Sequence, residues 1–112
     1  MDKVNFMERA IALSQEKSAV GRNAPFAAVI AKDGKIVGEG WNTVAIDHDA
    51  TAHGEVMAIR DARRELGTID LSGCDICTSC EPCSMCVATI WWAKLDRRSA
   101  DHPIFKSIAA KA

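Results

Sequence analysis

Cys83 and Cys86 stand three apart directly after Pro82, in the run Cys80-Glu81-Pro82-Cys83-Ser84-Met85-Cys86, and His53-Gly54-Glu55 lies upstream. A proline can open a helix, so both sulfurs fall on one face of a first helical turn. There the unsatisfied backbone N–H groups and the positive end of the helix dipole are expected to lower the thiol pKa values and ready both sulfurs for a soft cation. Two thiolates and one imidazole make three ligands. Zinc takes four in a tetrahedron, and a catalytic site leaves the fourth position to water or hydroxide, whereas a structural site fills it with protein. On this reading His53, Cys83 and Cys86 hold one Zn2+ per chain. Glu55, two residues past the histidine, is the carboxylate placed to handle the protons of a bound water.

The rest of the chain has to bring these groups together. From Lys3 to Lys17, Phe6, Ala10, Leu13 and Lys17 follow helical spacing, with Met7 and Ile11 widening the stripe, which predicts an amphipathic first helix. Gly21 to Pro25 ends it. Phe26 to Ala31 is a short apolar run that reads as a central strand buried on both faces. Asp33-Gly34 supplies a hairpin turn, and Ile36 through Asn42 forms the antiparallel return, which leaves Asn42 at a strand end where side chains commonly face a cleft. Thr43 to Ala50 reads as loop. Asp49 or Thr51 then caps a second helix, with Val56, Ile59, Ala62 or the Arg63 stem, and Leu66 on its apolar face and Gly67 ending it. His53 and Glu55, two apart, would point nearly opposite ways on a regular helix, so at least one must use the irregular first turn. Leu71 to Ser79 is expected to be a third strand and Cys83 to Ala93 a third helix, with Cys83, Cys86, Val87 and Ile90 along one face. Two helix N-termini must therefore converge, as an α/β layered arrangement allows. Ile104 to Ala112 reads as a short terminal helix after the break at Pro103.

At 112 residues the chain reads as one domain, 1–112. Its 26% charged and 48% apolar residues are ordinary for a globular protein and too balanced for disorder. A net charge of −1, with basic residues scattered among acids, gives no stripe for nucleic acid. No apolar leader stands at the N-terminus, and no run approaches the roughly eighteen apolar residues of a membrane span, so a cytoplasmic protein is expected. The five cysteines fall at 74, 77, 80, 83 and 86. Without a leader, that density points to metal binding in a reducing compartment rather than to disulfides.

His53-Gly54-Glu55 followed by Pro82-Cys83-Ser84-Met85-Cys86 resembles the H-x-E and P-C-x-x-C signature of the zinc-dependent cytidine deaminase-like superfamily. The segments Asn-Ala-Pro-Phe-Ala-Ala-Val-Ile, Gly-Trp-Asn, Thr-Ala-His-Gly-Glu-Val and Thr-Ser-Cys-Glu-Pro-Cys are, within it, most similar to bacterial guanine deaminases. The resemblance runs from the first helix to about Arg97. It implies a three-layer αβα fold with a mixed central sheet, which this chain shortens after the third helix, since no apolar strand separates Leu95-Asp96-Arg97 from Arg98-Ser99-Ala100-Asp101. It implies hydrolysis of guanine to xanthine and ammonia, with Glu55 as proton shuttle and Asp101, from a C-terminal segment, as a second acid near the amino group. Asn42 would hydrogen-bond the base, and Phe26 and Trp92 would line its pocket. A homodimer that exchanges C-terminal segments is also implied.

Other readings stay open. Deamination of adenosine in tRNA, or of cytosine or cytidine, would use the same centre, although a folded RNA calls for a basic flank. A cysteine-rich module holding an iron–sulfur cluster or a closed Cys-only zinc is a reading of another class. Successive cysteines on a strand alternate faces, which would separate Cys77 from Cys80. Cys74, Cys77 and Cys80 are therefore expected to pack as small hydrophobes.

Overall fold

The computed structural model describes residues 3–18, 26–79 and 83–94. In chain order the elements are α1 (Lys3–Ser18), β1 (Ala27–Lys32), β2 (Lys35–Trp41), α2 (Val44–Asp47), α3 (Gly54–Leu66), β3 (Asp75–Thr78) and α4 (Ser84–Trp92). β1 lies between its two partners in the order β2-β1-β3, and both pairings are antiparallel. The mixed sheet that the resemblance implies is therefore not seen among the described residues, where every pairing is antiparallel.

Strand alternation sends the side chains of β1 to two different cores. Ala27 and Val29 meet Ala10 and Leu13 of α1, while Ala31 joins Phe6 and Cys77. On the opposite face Ala28 and Ile30 pack with Ala58 and Ala62 of α3 and with Leu71, Cys74 and Ile76. Val87 and Ile90 of α4 lean on this second core. The sheet is thus covered on both faces, which is why Ala27 to Ala31 form an unbroken apolar run rather than an alternating one. Burying side chains as completely as Leu13, Ile30, Leu71 and Ile76 are buried is worth about 1.5–3 kcal/mol each.

The α1 stripe forms as expected at Phe6, Ala10 and Leu13, but Ile11 faces solvent. Five residues beyond Phe6, it lies about 140° round the helix from it. Polar contacts also hold α1 to β2, on this same face of the sheet. Arg9 donates from Nε and Nη2 to the two carboxylate oxygens of Glu39 at 2.7 and 3.2 Å, and the Lys17 ammonium sits 4.3 Å from the centroid of the Trp41 ring.

Asp33-Gly34 makes the expected hairpin, with both residues at positive φ (52° and 78°). Beyond it, β2 carries Gly38 and Gly40 opposite Ile30 and Ala28, on the face that receives α3. A Cβ on Gly38 would come within 2.7 Å of the Ala58 carbonyl oxygen and 2.8 Å of the Ala62 Cβ, and one on Gly40 would overlap the Ala58 nitrogen and the Gly54 carbonyl oxygen. Glycine facing alanine lets α3 lie directly on the strand. Gly40→Ala is accordingly expected to push α3 outward. Overpacking of this kind costs about 3 kcal/mol, which for a domain of this size lowers Tm by on the order of 10 °C or more. A thermal melt with Tm within 3 °C of the parent, a tolerance of about half a kcal/mol, would contradict this packing.

Two boundaries differ from the sequence expectation. β3 starts only at Asp75, because Leu71 to Cys74 forms a turn in which the Cys74 N–H bonds the Leu71 carbonyl at 3.1 Å and Gly73 takes φ 85°. Within the expected loop 43–50, Val44–Asp47 forms the single helical turn α2, whose first N–H donates to the Asn42 side-chain oxygen at 3.1 Å. Among the described residues, no helix is long and apolar enough to cross a membrane.

Candidate metal centre

His53 is the N-cap residue of α3, in extended backbone conformation (φ −75°, ψ 155°), and its side chain makes no capping hydrogen bond. Cys83 holds the same position on α4 (φ −76°, ψ 175°). Neither Asp49 nor Thr51 caps α3, as was expected of one of them; both belong to the turn that leads into His53. The irregular first position resolves the conflict between His53 and Glu55. The histidine precedes the helix, while Glu55 lies on its first turn, pointing inward and 4% exposed. The other end of α3 closes as expected on Gly67, whose N–H bonds the Arg63 carbonyl at 2.8 Å with φ 67°.

The two N-termini converge. His53 Nδ1 lies 3.5 Å from Cys83 Sγ and 3.5 Å from Cys86 Sγ, and the two sulfurs are 3.7 Å apart. A tetrahedral zinc with Zn–S of about 2.3 Å and Zn–N of about 2.05 Å sets these separations at roughly 3.6 and 3.8 Å. The donors stand at those spacings and all lie within 4.8 Å of one another. Three soft or borderline donors at tetrahedral separation fit Zn2+. Among the described residues this is the one His/Cys/Asp/Glu group so arranged.

Electrostatics around the donors follow from burial. Desolvation raises the Glu55 carboxyl above the ordinary glutamate value, opposed by its own backbone N–H, by the Cys86 thiol and by His53. Cys86, fully buried, is likewise pushed up by desolvation, then by the Glu55 charge and by Cys83. At Cys86 this reverses the lowering expected from the helix dipole. Desolvation and a facing carboxylate outweigh a dipole effect of at most about 2 kcal/mol.

The ends of the strands meet the same region. The Phe26 carbonyl accepts the Asn42 N–H at 2.9 Å, and a Cβ on Gly54, between His53 and Glu55, would stand 3.3 Å from that carbonyl and 3.1 Å from Ala27 Cα. The Ala27 N–H donates to Ser79 Oγ at 2.9 Å, and the Ser79 N–H donates to the Ala27 carbonyl at 2.9 Å. The start of β1 therefore ties Asn42, the first turn of α3 and the end of β3 to one another. The sequence reading missed Ser79; a hydroxyl at a strand end carries no pattern of its own. Phe26 is 41% exposed and Trp92 81% exposed. Trp92 lies six residues, about 9 Å along the helix, past Cys86. Asp101 lies outside the described residues.

Cys74 and Cys77 pack into the cores on opposite faces of the sheet, as expected of small hydrophobes, and neither reaches the metal centre. That separation removes the reading in which the spaced cysteines hold one iron–sulfur cluster. Cys80 lies outside the described residues.

Three protein donors around a tetrahedral position, beside a buried carboxylate, define a zinc centre of the three-ligand kind. The chain matches the cytidine and deoxycytidylate deaminase zinc-binding region over residues 1–100 and belongs to that family. It is 48% identical over 94 residues to guanine deaminase of Bacillus subtilis, covering 84% of this chain and 60% of that protein. The solved structure of that guanine deaminase superposes with a TM-score of 0.81 at 41% identity, covering 99% of this chain and 76% of the other. The tRNA-specific adenosine deaminase of Agrobacterium fabrum is 37% identical over 97 residues, 86% of this chain and 62% of that protein. The chain thus spans about 60% of these two curated relatives. The superposition gives it the cytidine deaminase-like fold expected from the sequence.

Proposed function

We propose that this chain is a zinc-dependent hydrolytic deaminase of a nucleobase, and that its substrate is guanine, converted with water to xanthine and ammonia. The observation that carries the proposal is the buried Glu55, held beside the three-donor zinc centre with its carboxyl pKa raised by desolvation. Similarity to the guanine deaminase of Bacillus subtilis favours guanine as the base.

His53, Cys83 and Cys86 would hold the ion. Bound zinc supplies acidification of a water, so that a nucleophile is available near neutral pH. Glu55 would accept that water's proton, pass it to a ring nitrogen as the oxygen adds to the amino-bearing carbon, and help protonate the departing ammonia. A buried carboxyl with a raised pKa suits both directions of transfer, because it neither holds the proton too weakly nor fails to release it. Asn42 has its side-chain oxygen engaged by the Val44 N–H, so its amide NH2 is the group it would offer to a base acceptor. Phe26 and Trp92, both exposed apolar rings, would cover the base. Asp101 is assigned the second acid by the sequence resemblance alone, and a homodimer is proposed on the same ground.

The test is ammonia release from guanine, cytosine, cytidine, adenine and a tRNA anticodon stem-loop by the zinc-loaded protein. Guanine is expected to lead the free bases by at least tenfold in kcat/KM, since a polar pocket left with unpaired groups rejects an analogue strongly. Preference for the stem-loop would replace guanine with adenosine in tRNA. No release from any of them would overturn the deaminase assignment.

A further inference from the structure

The centre needs His53 in one backbone position, yet His53 belongs to no regular element. Its placement comes from the turn 49–53. Asp49 Oδ1 accepts from the Thr51 backbone N–H at 2.8 Å and from the Thr51 hydroxyl at 2.7 Å. The Thr51 carbonyl in turn accepts the His53 N–H at 2.8 Å. Ala52 between them is fully buried, donates to the Asp49 carbonyl at 3.1 Å, and accepts the Thr43 N–H at 3.0 Å. On its other side, Asp49 Oδ2 lies 3.9 Å from the Arg60 guanidinium on α3, the helix that His53 begins.

From this chain of contacts we infer that Asp49 is a positioning residue for the zinc centre: it fixes Thr51, and through the Thr51 carbonyl it fixes the backbone that aims the His53 imidazole at Cys83 and Cys86. The backbone bonds of the turn can form only if Thr51 keeps its conformation. Asp49 is the side chain that bonds Thr51 at two atoms. A short polar side chain bonding the backbone two residues on is the device that stabilises such a turn without regular structure. The two Thr51 bonds also hold the Asp49 carboxyl below the ordinary aspartate range, so it remains an acceptor through neutral pH. The inference rests on the zinc-site reading and is independent of which base is deaminated.

The experiment measures zinc affinity by competition with a chromogenic chelator, and the visible absorption of the cobalt(II)-substituted protein, for the parent, Asp49→Ala and Asp49→Asn. Loss of support around a metal ligand typically weakens binding about 10–100-fold, and Asp49→Ala is expected to fall in that range with a changed cobalt spectrum. Asn keeps an oxygen that can accept both Thr51 bonds, so Asp49→Asn is expected to stay within about threefold of the parent, a margin of less than 1 kcal/mol. A role in general stability alone would lower the Tm of the metal-free protein while leaving the cobalt spectrum unchanged, and that outcome overturns the inference. Parent-like zinc affinity in Asp49→Ala also overturns it, and leaves the zinc reading standing. A parent protein that takes up neither zinc nor cobalt overturns both.

Discussion

Glu55→Gln is expected to retain one zinc per chain and to lose turnover by a factor of about 10²–10⁴, the usual contribution of a positioned general acid–base group. The substitution is close to isosteric, so a side chain only 4% exposed is replaced without opening a cavity. The amide oxygen can still accept from the Cys86 thiol, which in the metal-free protein bonds the Glu55 carboxylate. What disappears is a site that can take up and return a proton. Stability should move the other way. Glu55 has a folded pKa above its unfolded one, so the folded state binds its proton more tightly. Stability contributed by the protonated carboxyl is therefore present below the unfolded pKa and lost as pH rises through the folded one. Glutamine has no such titration. The metal-free Glu55→Gln protein should match the parent in Tm at acid pH and exceed it at neutral pH. Atomic absorption, ammonia release and melts at the two pH values check all three parts. More than a tenth of parental turnover in the zinc-loaded variant would remove Glu55 from the chemistry.

The metal centre was legible in the sequence because its chemistry needs fixed residue types at fixed spacing. His53, Cys83 and Cys86 had to meet, and the helix starts implied by Gly54–Leu66 and by the proline before Cys83 gave them a way to do so. The strand Ala27–Lys32 and the turn Asp33-Gly34 were equally readable, the first from an unbroken apolar run and the second from residues that tolerate positive φ. The packing of α3 on β2 was less so. It depends on Gly38 and Gly40 facing Ala58 and Ala62, and residues this small contribute almost nothing to a hydrophobic period, although their smallness sets how closely the layers approach. The α3 stripe expected at Val56, Ile59, Ala62 or the Arg63 stem, and Leu66 therefore marked the helix and included Ala62 as one choice, but missed Ala58, which also touches the strand. α2 escaped because a single turn has no periodicity, and its start depends on one side-chain bond from Asn42. Residues that fasten loops, Asp49 and Ser79, are visible only once the partner backbone is in place.

Cys83→Ala is expected to abolish stable zinc binding while leaving the metal-free fold intact. Cys83 is exposed, so replacing it opens no cavity, and surface changes of this kind stay within about 0.5 kcal/mol. The remaining donors, His53 and Cys86, sit 3.5 Å apart and cannot by themselves enclose a tetrahedral ion. If three donors share roughly 10–16 kcal/mol of binding free energy, losing one costs about 3–5 kcal/mol, on the order of 10²–10⁴ in Kd. The parent should then gain Tm when zinc is added and the variant should not, because an ion stabilises only the state that binds it. Burial and the Glu55 carboxylate keep Cys86 protonated in the metal-free protein, so the ion must displace that proton to bind. Parental zinc affinity should rise at least about tenfold per pH unit through the neutral range, one proton leaving Cys86 for each ion bound. Isothermal titration in two buffers of different ionisation enthalpy counts that proton directly. Because Cys86 is retained in Cys83→Ala, any residual binding by this variant should still release the Cys86 proton, which separates loss of a donor from disturbance of the buried thiol. Stoichiometric zinc at parental affinity in Cys83→Ala would show that the exposed sulfur is not a ligand, and the centre would have to be completed by a group other than the three that converge here.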